Sequence, residues 1–177
     1  MKDIGANEER FLMSLLVRNE AGVLTRVSSL FGRRGFNIDS LSVGETLDSK
    51  ISRITVIATG DEYVKEQIKL QLEKLYDVLT VEILNMKNAV MRELMLIKVR
   101  VPQGKRAEIL EATSIFRAKV VDITRESLTL EVTGDSSKCN AFLEYMIPFG
   151  VVELCRTGLT AVARGGESLE DNNKLIV

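Results

Sequence analysis

The stretch from Asn19 to Asp39, NEAGVLTRVSSLFGRRGFNID, constrains this chain more than any other. An apolar run with strand character, Phe11 to Val17, leads into it, and another strand-like segment starts at its end. Between them Val23, Leu24, Val27, Leu30 and Phe31 recur at steps of three and four, the spacing of one buried helix face. Gly22 stands where the chain turns into that helix and Gly35 where it turns out. Lacking a Cβ, glycine at the entry allows a ligand to approach the backbone closely. The first helical N–H groups have no partners within the helix, and the helix dipole favours an anion beside them. The pattern therefore predicts a strand–turn–helix–turn–strand unit with a candidate carboxylate or phosphate seat at its first turn.

The flanking sequence extends that unit. Met13, Leu15 and Val17 share one face of the first strand. Asn37 to Thr46 and Ile51 to Thr59 both alternate apolar and polar residues around the polar turn Leu47 to Lys50, which predicts an antiparallel hairpin. Gly60 and Asp61 mark the next helix start, and Val64, Ile68, Leu72 and Leu75 form its stripe. Asp77 to Leu84 returns to strand character. The order is β-α-β-β-α-β, the ferredoxin-like arrangement, with two helices on one face of a four-stranded sheet. The opposite face needs cover, for which stacking or edge pairing with a second copy is the expectation.

The same order recurs after a mixed-polarity segment: strand Leu94 to Val101, helix Lys105 to Phe116, strands Lys119 to Thr124 and Ser127 to Thr133, helix Ser136 to Met146, strand Val151 to Thr157. Pro102 and Gly104 separate the first of these strands from its helix, and Asp135 is placed to cap the second helix. The expected fold class is α+β with two ferredoxin-like βαββαβ domains. The boundaries read as a lead-in over 1–10, a first domain over 11–86, a linker over 87–93, a second domain over 94–164 and a loose tail over 165–177.

Composition removes several functions. There are 177 residues, 45% of them hydrophobic, and the formal net charge is −1, so no overall charge draws the chain to nucleic acid or an anionic membrane. No apolar run reaches the roughly 20 residues of a membrane span, and MKDIGANEER lacks the apolar core of a signal peptide, so the expected location is cytoplasmic. The chain has no histidine, which removes the commonest general base, the usual zinc ligand and every Ser-His triad. Cys139 and Cys155 are too far apart for a CxxC pair and are expected to be buried free thiols. The β-α-β-β-α-β order also builds an RNA-binding fold, but the third strand, SRITVIATG, carries none of the stacking aromatics that fold uses. Arg33 and Arg34 read as a solvated, dipole-matched helix end. Phe116, Phe142 and Met146 read as core.

The blocks NEAGVLTRVSSLF, RRGFNIDSLSVGET and SRITVIATGD resemble the N-terminal ACT domain of the small, regulatory subunit of acetohydroxyacid synthase, also called acetolactate synthase. The resemblance continues through RELMLIKVRV and SIFRAKVVDIT and covers about Phe11 to Arg164. It implies that the first domain is an ACT domain and that the chain is noncatalytic. Its implied role is to activate a catalytic subunit and to confer feedback inhibition by valine or another branched-chain amino acid. It also implies that thiamine diphosphate, Mg and FAD belong to that catalytic partner and that this chain carries no cofactor. The remaining implied partner is a second copy, a homodimer through the ACT domains with the effector at their interface; no nucleic acid or membrane is implied.

Carried over residue by residue, the family's effector-binding positions fall on Asn19 and Gly22 at the first turn, with Val23 and Leu24 completing it, and on Asn37 and Ile38 at the start of the second strand of the partner chain. Ala21 stands where the family often has Ser or Pro, and Gly44 occupies a small-residue position near the site. The residues fit such a ligand on their own chemistry, because a helix entrance takes a carboxylate and an asparagine oxygen takes an ammonium. Read singly, Asn19 serves equally as a helix cap and Asn37 as a left-handed turn residue. The competing readings are a free-standing ACT-domain amino-acid sensor and an RNA-binding module.

Overall fold

In the computed structural model, residues 9–166, Ser168 and Leu169 are described. Residues 1–8 of the expected lead-in over 1–10, and residues 167 and 170–177 of the expected tail, lie outside the described residues.

The chain divides into two compact units, 1–90 with 159–177, and 91–158. In the first, β1 (Glu9–Arg18), α1 (Val23–Arg33), β2 (Ile38–Glu45), β3 (Ile51–Gly60), α2 (Glu62–Leu72) and β4 (Val78–Leu84) follow the expected order. The sheet order is β2-β3-β1-β4, every pairing antiparallel, with β2 on an edge. One sheet face and the two helices enclose a core of Met13, Leu15, Val17, Val27, Phe31, Val56, Ile68 and Leu72. These are the odd positions of β1, Val56 from β3 and the three-four stripes of the helices, so local periodicity sets the packing. Asp61 caps α2 by accepting a hydrogen bond from Val64 N at 2.7 Å. The helix ends at Leu72, and Leu75, expected within it, packs on the core from the turn that follows.

The opposite sheet face is not bare. Leu12, Ser14, Leu16 and Ile57 on it are buried, and Leu159, just ahead of β9 (Thr160–Ala163), is held against its β2 side. There Ser40 Oγ accepts from Leu159 N at 2.9 Å and Ser42 Oγ donates to Leu159 O at 3.0 Å. The two serine hydroxyls of β2 thus hold the chain's own return segment, and β2, hydrogen-bonded to β3 alone in the sheet, keeps its outer edge open.

The second unit holds most of β5 (Ala89–Arg100), then α3 (Arg106–Ile115), β6 (Lys119–Ile123), β7 (Ser127–Gly134), α4 (Ser136–Met146) and β8 (Val151–Arg156). Its strands run β6-β7-β5-β8. Met95, Ile97, Val99, Leu128, Leu130, Ile109, Phe142 and Met146 make its core, against which Phe116 packs. Asp135 caps α4 through Lys138 N at 2.8 Å. Two expected boundaries shift. Residues 87–93 form the end of a 3₁₀ turn and the start of β5 rather than a linker, because Ala89–Arg100 continues as one strand. Leu159–Ala163, expected in the second domain, groups with the first unit because the Ser40 and Ser42 hydroxyls hold it there. Of the two thiols, Cys139 on α4 is buried as expected but Cys155 is exposed. In β8 it pairs with Leu96, on the sheet face turned away from the helices.

Candidate functional site

The α1 entrance is built by backbone. Gly22 occupies the cap position with φ 83°, the left-handed region that glycine enters without strain, and no side chain caps the helix. Gly35 closes the other end at φ 71°. Val23 N donates to Glu20 O at 3.3 Å, so the first bond of the turn is made by the chain itself. The Val23 side chain is buried in the core and gives the site only its backbone. Leu24, 43% exposed, leaves apolar surface beside the turn.

Asn19 does not cap α1. Its backbone N donates to Lys50 O at 2.7 Å, and its Nδ2 donates to Glu45 Oε1 at 3.1 Å and to Ser49 O at 2.9 Å. Asn19 is therefore hung from the β2–β3 hairpin, next to the turn that carries Gly22. Nor is Asn37 a left-handed turn residue: among the described residues the only non-glycine with positive φ is Arg117. The Asn37 amide donates to Asp39 Oδ1 at 2.8 Å, and Asp39 Oδ2 in turn accepts from Thr59 Oγ1 at 2.7 Å. Ile38 is half-buried against the core at the start of β2.

Sequence reasoning missed the cation at this entrance. Arg26, one helical turn beyond Gly22, places Nη1 only 3.1 Å from the position a Cβ on Gly22 would take. Its Nε donates to Asp77 Oδ2 at 2.7 Å, and Asp77 is buried at the start of β4's approach, where its carbonyl accepts from Arg18 N at 2.9 Å. Arg18 itself lies over the Tyr76 ring, 5.0 Å from the centroid. The helix dipole favours an anion at the Gly22 turn, and Arg26, its charge paired with Asp77, adds Nη1 as a hydrogen-bond donor there. The i, i+4 spacing of Gly22 and Arg26 was the available signal; the link to Asp77 had none.

The register separates the two halves of the expected site. Ile38 pairs with Ala58, which pairs with Phe11, whereas Asn19 follows Arg18, which pairs with Ile51. Phe11 and Arg18 are seven residues apart along β1, roughly 24 Å at about 3.4 Å per residue. Within one chain Asn19–Leu24 and Asn37–Ile38 therefore lie toward opposite ends of the sheet. A cleft of about 860 Å³ opens at the Phe11 end, lined by Arg10, Tyr63, Lys65 and Lys87 among others, and is separate from the Gly22 turn.

A βαββαβ sheet with a glycine turn at the entrance of its first helix is the architecture of an ACT domain, and residues 13–80 match the family of AHAS small subunit-like ACT domains. Residues 92–165 match the family described as the small subunit of acetolactate synthase. The chain is 49% identical over 159 residues to the probable acetolactate synthase small subunit of Methanothermobacter thermautotrophicus, covering 89% of this chain and 95% of that one. It is 46% identical over 153 residues to the acetolactate synthase small subunit of Mycobacterium leprae, covering 86% and 90%. The crystal structure of the acetolactate synthase small subunit from Thermotoga maritima superposes with a TM-score of 0.84 at 40% identity, over 90% of this chain and 99% of that one. This chain belongs to the family of acetolactate synthase small subunits, the regulatory ACT-domain subunits of that enzyme complex.

Proposed function

We propose that this chain activates the catalytic subunit of acetohydroxyacid synthase and makes it sensitive to valine or another branched-chain amino acid, bound between the ACT domains of two copies. The observation that carries this reading is the register: Asn19–Leu24 and Asn37–Ile38 lie at opposite ends of one sheet, so one small ligand meets both only if two chains contribute. β2 is an open edge strand on which Val43 is 47% exposed. Pairing two β2 edges antiparallel about a two-fold axis that passes between Leu41 and Ser42 sets Ile38 of the partner subunit across from Glu45, next to Asn19. At that junction the α1 entrance and Arg26 take the effector carboxylate, the asparagines take the ammonium, and Leu24 offers apolar contact to the side chain. Occupancy then favours one dimer geometry, and the catalytic subunit senses that preference through a coupling of about 1–3 kcal/mol that is reciprocal in binding terms.

Thiamine diphosphate, Mg and FAD reside on the catalytic partner in this reading, and the chain acts in the cytoplasm alongside it. The test is to mix the chain with its candidate catalytic subunit and measure acetolactate formation with and without valine, leucine or isoleucine. Activation that the effector reverses supports the reading. Effector binding with no activation of any catalytic subunit supports a free-standing sensor instead.

A further inference from the structure

We propose that Glu45 is a positioning residue that fixes the Asn19 amide so that it offers only its carbonyl oxygen, which makes Asn19 the seat of the effector's ammonium and selects α-amino acids over their α-hydroxy counterparts. The inference rests on the effector reading above. An asparagine amide carries two N–H donors on Nδ2 and an acceptor at Oδ1, and an unrestrained amide presents either end to a ligand. Here both donors are spent, on Glu45 Oε1 at 3.1 Å and on Ser49 O at 2.9 Å. A carboxylate oxygen and a peptide carbonyl oxygen have no proton to give, so turning the amide over would set oxygen against oxygen at both contacts. The orientation follows from the chemistry of the partners. Oδ1 has no hydrogen bond among the described residues and is the atom left for a ligand.

The backbone strengthens the case. Asn19 N donates to Lys50 O at 2.7 Å, so main chain and side chain are both tied to the β2–β3 hairpin and the amide has little freedom to swing. An ammonium is a donor only and suits an exposed Oδ1, whereas the hydroxyl of an α-hydroxy acid both donates and accepts and carries no charge. The carboxylate common to both ligands goes to the cationic side of the site, where Arg26 Nη1 stands over Gly22. Glu45 closes β2, so in the edge-paired dimer it stands where the two half-sites meet.

The experiment is calorimetry on the full chain with whichever of L-valine, L-leucine and L-isoleucine binds best and with the matching L-α-hydroxy acid, for the wild type, Glu45→Ala and Glu45→Gln. The wild type should prefer the amino acid by roughly tenfold or more, the scale of a charge-assisted hydrogen bond. Glu45→Ala leaves the Ser49 carbonyl as the side chain's only anchor and frees one N–H, so the amide offers a donor as well as Oδ1. It should narrow that preference about fivefold, mainly by weakening the amino acid. Glu45→Gln keeps an acceptor oxygen for the same N–H and should hold the preference within about twofold. An unchanged preference in Glu45→Ala overturns the proposal, as does equal weakening of both ligands, which marks a merely structural contact. Glu45→Gln behaving like Glu45→Ala also overturns it, since charge rather than positioning would then be at work. No binding of any of the three amino acids by the wild type removes the effector reading itself, and that outcome is distinct from all of these.

Discussion

Replacing Arg156 with alanine should destabilise the second unit by about 3 kcal/mol, because it strands a buried carboxylate. Glu93 on β5 is only 5% exposed. Its two oxygens accept from Arg156 Nε, at 2.9 Å, and from Arg156 Nη2, while Arg156 Nη1 donates to Asn140 Oδ1 at 2.8 Å. One guanidinium therefore ties together β5, β8 and α4. The Glu93 hydrogen bonds also hold the Arg156 pKa above its ordinary value. Removing one partner of a buried pair costs about 3–5 kcal/mol. The Arg156 side chain is itself 29% exposed, so water can enter the vacated space and the lower end applies. With a urea m-value of about 2 kcal/mol/M, the midpoint of the second unit's transition should fall by about 1.5 M.

Glu93→Gln leaves a neutral amide that still accepts from the guanidinium, and should cost only about 1–2 kcal/mol. Replacing both residues with leucine should recover part of the Arg156→Ala loss, since no uncompensated charge remains. Urea unfolding followed by circular dichroism at neutral pH measures all three. A midpoint for Arg156→Ala within about 0.3 M of wild type would refute the argument that burial makes Glu93 depend on this one partner.

Gly22→Ala forces a Cβ into a left-handed backbone at a strain of about 1–2 kcal/mol and presses it against Arg26 Nη1, 3.1 Å away. Gly22→Asp adds a negative charge there and should abolish feedback inhibition while activation persists; unchanged effector affinity by calorimetry would sink the site assignment. Native protein should react with one equivalent of thiol reagent at Cys155, and with a second at Cys139 only when denatured. Burial, followed by the Glu93 charge, raises the Cys139 pKa above 9.0. The unfolded thiol therefore ionises first, and stability present below pH 9.0 should decline as pH rises from there towards the folded pKa, by an amount that Cys139→Ala removes. Ser40→Ala leaves Leu159 N–H without its acceptor and should cost about 1–2 kcal/mol, read as faster amide exchange at Leu159.

The sequence by itself determined the elements. The apolar run of β1, the alternation in the β2 and β3 segments, the three-four stripes of α1 and α2, the glycines at both ends of α1 and the caps Asp61 and Asp135 are all local signals, and the elements they predict are present in the structure. They are legible because each depends on residues a few positions apart, where backbone sterics and hydrogen bonding dominate. The ordered blocks that resemble the small-subunit family are likewise a property of the string. What the tertiary structure alone decided are the pairings across long separations. Arg26 meets Asp77 over 51 residues, Asn19 meets Glu45 over 26, and Leu159 meets Ser40 over 119. Strand register, fixed by which faces bury apolar side chains together, chose those partners and set Asn19 and Ile38 at opposite ends of one sheet. It also placed Cys155 at an exposed position of β8, where a buried free thiol was the expectation.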